Sequence, residues 1–539
     1  MDKKDISRRN FLGVAGMSIG AGLGSRVVNA GELASAEGPQ KRTQRPNLIL
    51  FMPDELRADA LSCFGNPVCR TPNFDKLAGE GTRFSNCYAQ YPVCGASRCS
   101  LLTGWPTSVR GHRSLYYFLR PEEPNLFRYL KQNGYDVFWY GKNDALAAQS
   151  FYESVTEWNH QPPPKGKRAK SSGNPWPFGD PHYYSFLYTE GGDRRSSPDY
   201  EHLQAGIRIL ERQHQDRPFC LFLPLGSPHP PYGGYEGFHN LYDPAKLPPL
   251  RPMGLARKPN FYEGIRKAYH IDSLPESTFR KIRAVYYGMV SFTDWLLGEL
   301  LEAVDRTHHT NDTAIFVLSD HGDYAGDYGL VEKWPSDLGD VLTHVPVIAR
   351  VPGGALGHVS GEIVELFDVM ASCLDLAGIE ARHTHFARSL LPQIHGQPGD
   401  PERAAFSEGG YNIYEPQCYE PADRAPAEIY YPKERLEVDQ PQTVSRAAMV
   451  RTHSHKLVLR PSGQSELYAY QQDPNELHNL YGDRSVAGVQ HELERRLAAW
   501  YINTTGIAPF DKDQRGAPPF YPTHKFAKED WHRKIIDES

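Results

Sequence analysis

The sequence predicts an α/β protein: a doubly wound sheet flanked by helices, then a smaller C-terminal antiparallel-sheet subdomain with one helix. Three observations carry that prediction. Continuous apolar runs such as 47–52 suit strands buried on both faces of a parallel sheet. Helical segments at 73–79, 125–133, 200–213 and 282–304 alternate with those runs, the rhythm of a layered α/β domain. The last part of the chain changes character, with short strands at 448–450, 456–459 and 466–470. A stripe of Val489, Leu493, Leu497 and Trp500 at helical spacing follows and packs on that sheet.

Taken in order, the chain opens with Ser7-Arg8-Arg9-Asn10-Phe11-Leu12, a glycine-rich apolar run to Gly24, and small residues at Val28-Asn29-Ala30. This is the layout of a twin-arginine export signal over 1–30, with an apolar run too short for a membrane span. It implies a bacterial protein exported, already folded, to the periplasm or cell surface. A linker at 31–45 leads to a main domain at 46–395, and 396–539 forms the C-terminal subdomain and tail.

Within the main domain four apolar runs share one grammar. The run 47–52 ends in Asp54-Glu55, 135–140 in Lys142-Asn143-Asp144, 219–225 in His229, and 313–318 in Ser319-Asp320-His321. Ligands of open α/β sheets collect outside the carboxyl ends of the strands, where these side chains are delivered. Further on, 345–351 reads as a strand and 363–376 as a helix closing at Gly378. A Pro/Gly/Ser-rich insertion at 161–198 carries a basic stretch at 165–170, either a solvated loop or a contact for an anionic polymer. Residues 396–445 show no periodicity and read as a long connection; the aromatic, Pro-rich tail from Asp511 has no assigned role.

Composition narrows the classes. The 539 residues carry 59 Lys+Arg against 65 Asp+Glu, a formal charge of −6, which argues against a nucleic-acid binder. Eight cysteines at 63, 69, 87, 94, 99, 220, 373 and 418 contain no CxxC pair, so neither a structural zinc site nor a dense disulfide framework is expected.

The stretch Tyr91-Pro92-Val93-Cys94-Gly95-Ala96-Ser97-Arg98 draws the rest together. Gly104 reads as a helix stop, so a short helix begins near Gly95 or Ala96 and places Cys94 where free N–H groups favour an anion. Arg98 returns one turn later beside the cysteine. On spacing alone, a cysteine at a helix start is more often a small buried hydrophobe.

Cys94-Gly95-Ala96-Ser97-Arg98 followed by Leu101-Leu102-Thr103-Gly104 resembles the signature of the type I, formylglycine-dependent sulfatases. Pro46–Leu50 with Asp54-Glu55 and Arg57, 71–78 with Gly81 and Phe84, Gly141-Lys142, 227–232, 319–323 with Lys333, and the late Arg451, 456–457, 466–468 and Asp473-Pro474 resemble sulfatase segments in the same order. The resemblance spans about 46 to 485. It implies an alkaline-phosphatase-like mixed sheet and hydrolysis of a sulfate ester, of a sulfated carbohydrate or aryl sulfate, with Cys94 oxidised to formylglycine by a maturation enzyme. By matching position, Asp54, Glu55, Asp320, His321 and the modified Cys94 would hold one divalent metal, with calcium the family's usual ion; His321 also suits manganese or zinc. Arg98, Lys142, Lys333 and His229 would serve catalysis, the cations around the sulfate and His229 at the leaving alcohol. Where many relatives carry a histidine, Asp144 stands: a base, a substrate contact or a partner for Lys142. The same resemblance admits a phosphonate monoester or phosphodiester hydrolase, or a glycan-binding homologue without catalysis.

Overall fold

The protein was analysed as a computed structural model describing residues 45–159, 172–212, 217–420 and 422–508. The export signal, nearly all of the linker, the basic stretch 165–170 and the tail from Asp511 lie outside these residues. Eight strands form the main sheet: β1 (Asn47–Pro53), β2 (Thr82–Tyr88), β3 (Asp136–Trp139), β4 (Glu157–Trp158), β5 (Phe219–Leu225), β6 (Thr313–Leu318), β7 (His344–Arg350) and β8 (His358–Glu365). Their spatial order is β4-β3-β5-β1-β6-β7-β2-β8. β7 runs antiparallel to both neighbours, β6 and β2, and every other pairing is parallel, so the sheet is mixed as expected.

Apolar side chains from Leu48 to Pro53 make β1 the centre. Ile49 and Phe51 join one core with Leu221, Leu223, Ile315, Val317 and the long helix Glu276–Arg306. Leu48, Leu50 and Met52 enter the opposite core with Cys220, Phe222, Ala314 and Phe316. A strand wet on one face would alternate; this one is dry on both, and each fully buried side chain contributes about 1.5–3 kcal/mol.

The register aligns the four site strands. Pro53 pairs with Leu225, Phe51 with Val317, and Trp139 with Phe222. Adjacent parallel strands β3, β5, β1 and β6 therefore end at one edge, where the sequence places its charged residues.

Two readings of the sequence are corrected. The segment 363–376 is not one helix: Ile363 and Val364 finish β8, paired with Asn86 and Cys87 of β2, and the helix is Asp368–Leu376. β-Branched residues at a buried sheet edge outweigh the helical spacing that continues through them. Residues 396–445 are not a structureless connection, because they contain β9 (Ala405–Gly409) and the helix Tyr431–Asp439. That helix buries Lys433, Glu434 and Glu437 beside Leu436, so it has no apolar stripe to be read. β9 lies at the edge of a second, antiparallel sheet with β10 (Ala447–Arg451), β11 (His455–Leu459) and β12 (Glu466–Ala469), in the order β12-β11-β10-β9. The C-terminal helix Ala487–Thr504 packs Leu493 and Leu497 against Val450, Leu457 and Leu467 of that sheet.

Candidate active site

The site lies where the carboxyl ends of β1, β3, β5 and β6 meet the start of the Cys94–Thr103 helix. The helix begins at Cys94, one residue earlier than the sequence suggests, and ends at Gly104 in the left-handed conformation (φ +68°). That left-handed φ, which L side chains rarely adopt, makes Gly104 the stop, while Met370 and His385 pack where a Cβ would lie. All ten helix residues are buried, which fixes Cys94 and Arg98 relative to the sheet.

Around Cys94 the contacts are dense. Its thiol donates to Asp54 Oδ1 at 3.4 Å and lies 3.2 Å from His321 Nε2, while Lys142 Nζ approaches the sulfur at 3.6 Å. Lys142 Nζ donates to Asp54 Oδ2 at 2.6 Å and pairs with Asp144 Oδ2 at 2.9 Å. Of the three roles open to Asp144, the contact present is the one that holds Lys142. Gly141 (φ +140°) permits this approach, because a Cβ there would fall 2.1 Å from Pro224 O, to which Lys142 N donates at 2.8 Å. Arg98 spans two carboxylates, with Nε on Asp320 Oδ2 at 2.8 Å and Nη2 facing Asp54 Oδ1 at 3.3 Å.

A second group lies beside the first. Glu55 takes the left-handed conformation (φ +64°), and its Oε1 receives Lys333 Nζ and lies 3.0 Å from His229 Nε2. Lys333 Nζ is 3.3 Å from His229 Nε2 and donates to Glu332 Oε1 at 2.7 Å. His229 Nδ1 contacts Pro230 O at 2.5 Å, which orients the ring with Nε2 toward Lys333.

The electrostatics follow from burial and neighbours. Burial opposes charge on Asp54, yet the Lys142 and Arg98 cations hold its carboxyl well below the usual range. Burial pushes the Glu55 carboxyl well above its ordinary value against the pull of Lys333. The Cys94 thiol is raised far up, first by burial and then by Asp54, so as a thiol it stays protonated and weakly nucleophilic. Burial, with Lys333 and Lys142 nearby, holds His229 well below its ordinary value.

The donor set fits a divalent cation. Ligand atoms of Asp54, Glu55, Cys94 and His321 lie within 4.8 Å of one another, all four residues buried. The Glu55 carboxyl is left to hydrogen-bond the Asp323 carboxyl beside it, a pairing of two buried acids that a cation would replace. Asp320 stands outside this group of four. Its Oδ1 accepts from Glu55 N (3.2 Å) and His321 N (3.0 Å) and its Oδ2 from Arg98, so here it anchors the ligand-bearing backbone. All nine residues singled out in the sequence join one contact network, in which Asp320 links the group of Glu55, His229 and Lys333 to that of Asp54, Cys94, Arg98, Lys142 and His321.

Sequence reasoning missed Glu332, although a charged pair set between Val331 and Trp334 in a fully buried run was a signal. It also missed Ser97, whose hydroxyl donates to Asp320 O at 2.6 Å, and Lys433, which no local pattern marks.

The chain matches the Sulfatase family over residues 46–379, and the C-terminal family of N-sulphoglucosamine sulphohydrolase over 420–502. It is 28% identical over 395 residues to iduronate 2-sulfatase of Homo sapiens, covering 68% of this chain and 71% of that protein. It is 24% identical over 541 residues to N-acetylglucosamine-6-O-sulfatase of Bacteroides thetaiotaomicron, covering 86% and 88%. The crystal structure of a phosphonate monoester hydrolase of Agrobacterium radiobacter superposes with a TM-score of 0.67 at 20% identity, over 85% of this chain and 96% of that one.

Proposed function

The chain belongs to the sulfatase family, and on that premise we propose that it desulfates a sulfated carbohydrate, using as nucleophile a formylglycine made from Cys94. The observation that carries this reading is the placement of Cys94 at a buried helix start, touching Asp54, His321 and Lys142 at once. A thiol whose pKa is forced up by burial is poorly suited to attack an ester, which favours prior conversion of this residue. The hydrated aldehyde supplies two hydroxyls on one carbon, one to displace the alcohol from sulfur and one whose deprotonation releases sulfate.

The residues around it divide the remaining work. Asp54, Glu55 and His321, with residue 94 itself, would hold a divalent cation, which we propose is calcium; Asp320 orients their backbone. The cation supplies charge to lower the pKa of a nearby hydroxyl and to balance the sulfate oxygens. Arg98 keeps the Asp54 and Asp320 carboxylates apart and in place. Lys142 and Lys333 would present their ammonium groups to the sulfate, a preorganised clamp worth about 3–4 kcal/mol per donor in oxyanion sites. His229 Nε2, 3.3 Å from Lys333 Nζ, is placed to relay a proton from that ammonium to the departing alcohol. Asp144 holds Lys142.

Sulfated sugars are favoured as substrates by the likeness to iduronate 2-sulfatase and N-acetylglucosamine-6-O-sulfatase. Export by the twin-arginine route, and loading by a formylglycine-generating enzyme before it, complete the proposal. The test is a panel of sulfated oligosaccharides scored for released sulfate, beside mass spectrometry of the Cys94 peptide. Turnover of phosphonate or phosphate esters in preference to every sulfate ester would overturn the substrate assignment, and binding of sulfated glycans without turnover by a fully converted protein would overturn the catalytic one.

A further inference from the structure

Behind Lys333 the structure carries a file of alternating buried charges that no part of the reaction uses directly. Lys333 Nζ donates to Glu332 Oε1 at 2.7 Å, and the same oxygen lies 3.6 Å from Lys433 Nζ. Lys433 Nζ pairs in turn with Glu420 Oε1 at 2.8 Å, and Glu420 N donates to Glu437 Oε2 at 2.9 Å. The side chains of Lys333, Glu332 and Lys433 are 2%, 1% and 2% exposed, so water replaces none of these contacts. Glu332 takes the left-handed conformation (φ +63°), while its N–H donates to the Tyr232 hydroxyl at 2.9 Å. Its Oε2 accepts from Lys333 N at 3.0 Å.

Lys433 comes from the helix Tyr431–Asp439, in the C-terminal part of the chain and remote in sequence from Cys94. We propose that the pair Glu332–Lys433 positions Lys333 for catalysis, so that the C-terminal segment completes the active site. The reasoning is electrostatic. Glu332 and Glu55 compete for one ammonium, and a Glu332 carboxylate with no second cation would draw Lys333 away from Glu55 and His229. Lys433 shares the negative charge of Glu332 and leaves the Lys333 ammonium divided between the two carboxylates. Glu332 and Lys433 are therefore positioning residues that act through Lys333.

This inference rests on the assignment of Lys333 to the sulfate clamp, and its test is a double-mutant cycle. Glu332→Gln keeps the size of the side chain, and Lys433→Met keeps the length of its stem; each is made in the wild type and in Lys333→Met. The readouts are kcat on an aryl sulfate and calorimetric affinity for inorganic sulfate, both with calcium-loaded protein. In the wild-type background each substitution should lower kcat about 10- to 100-fold, the scale of a displacement of about 1 Å, and weaken sulfate binding. In the Lys333→Met background each should change both readouts less than about twofold, because coupled residues are non-additive. Equal losses in both backgrounds, unchanged kcat in Glu332→Gln, or failure of both variants to fold would overturn the proposal. A wild-type protein that turns over no sulfate ester, yet binds inorganic sulfate with this non-additive pattern, would overturn the sulfatase reading and leave the positioning role standing.

Discussion

Arg98→Lys isolates what the guanidinium geometry contributes, because the charge stays and only the fork is lost. Arg98 is 1% exposed and spans two fully buried carboxylates, at 2.8 Å to Asp320 and 3.3 Å to Asp54. A lysine ammonium is a point donor on a stem that reaches one of them at a time. One charge-assisted contact is then lost, costing about 1.5–3 kcal/mol. Asp54 keeps Lys142 at 2.6 Å, so the change falls short of stranding a bare charge. The freed carboxylate no longer holds a fixed orientation toward Glu55 and His321. Divalent-cation affinity should therefore fall about 10- to 100-fold, the range of an outer-shell partner. Titration calorimetry of calcium into chelator-stripped protein measures this directly, with a urea midpoint as the folding control. Calcium affinity within threefold of wild type in a folded Arg98→Lys variant would refute the claim that Arg98 orders the ligands.

Cys94→Ser should lack turnover entirely on co-expression with the maturation enzyme active on cysteine, and tryptic mass spectrometry of the wild type should show residue 94 lighter by about 18 Da. Chelation should lower the thermal midpoint and calcium or manganese restore it, since a cation that binds only the folded state stabilises it by mass action; scanning calorimetry reads both. Gly104→Ala forces a left-handed residue at φ +68°, costing about 1–2 kcal/mol in a urea titration with unchanged slope. Burial, then Glu420, raise Glu437 to about 8 against Lys433. A carboxyl raised in the folded state contributes stability that is fully present below its unfolded pKa and is lost as pH rises toward 8. Glu437→Gln should remove that decline, on the order of 3 kcal/mol between pH 5 and 8, as followed by denaturation at several pH values.

Some of this protein was legible before any coordinates. β1, β5 and β6 are apolar at almost every position, and a strand with both faces dry has no other composition available to it. Their ends were equally plain, because Asp54, His229 and Asp320 interrupt those runs abruptly. Gly104 announced the helix stop through a backbone conformation that other residues resist. β8 was misread because Ile363 and Val364 fit a helical spacing that continues into a true helix, and only pairing with β2 decides between them. β9 was missed for a related reason: it is an edge strand whose partner, β10, lies some forty residues further on (Met449 pairs with Ser407).

The sequence by itself determined which chemistry is on offer: a cysteine at a helix start, a set of carboxylates and imidazoles, and cations enough to face an anion. Local patterns record such choices because strand and helix periodicities act over a few residues. Only the tertiary structure decided that Asp320 accepts from the backbone N–H groups of Glu55 and His321 and that Glu55 faces His229 and Lys333. It alone brought Lys433 to Glu332 across 101 positions of chain. Those are contacts between parts of the chain remote in sequence, fixed by sheet order and by the energetic need of each buried charge for a partner.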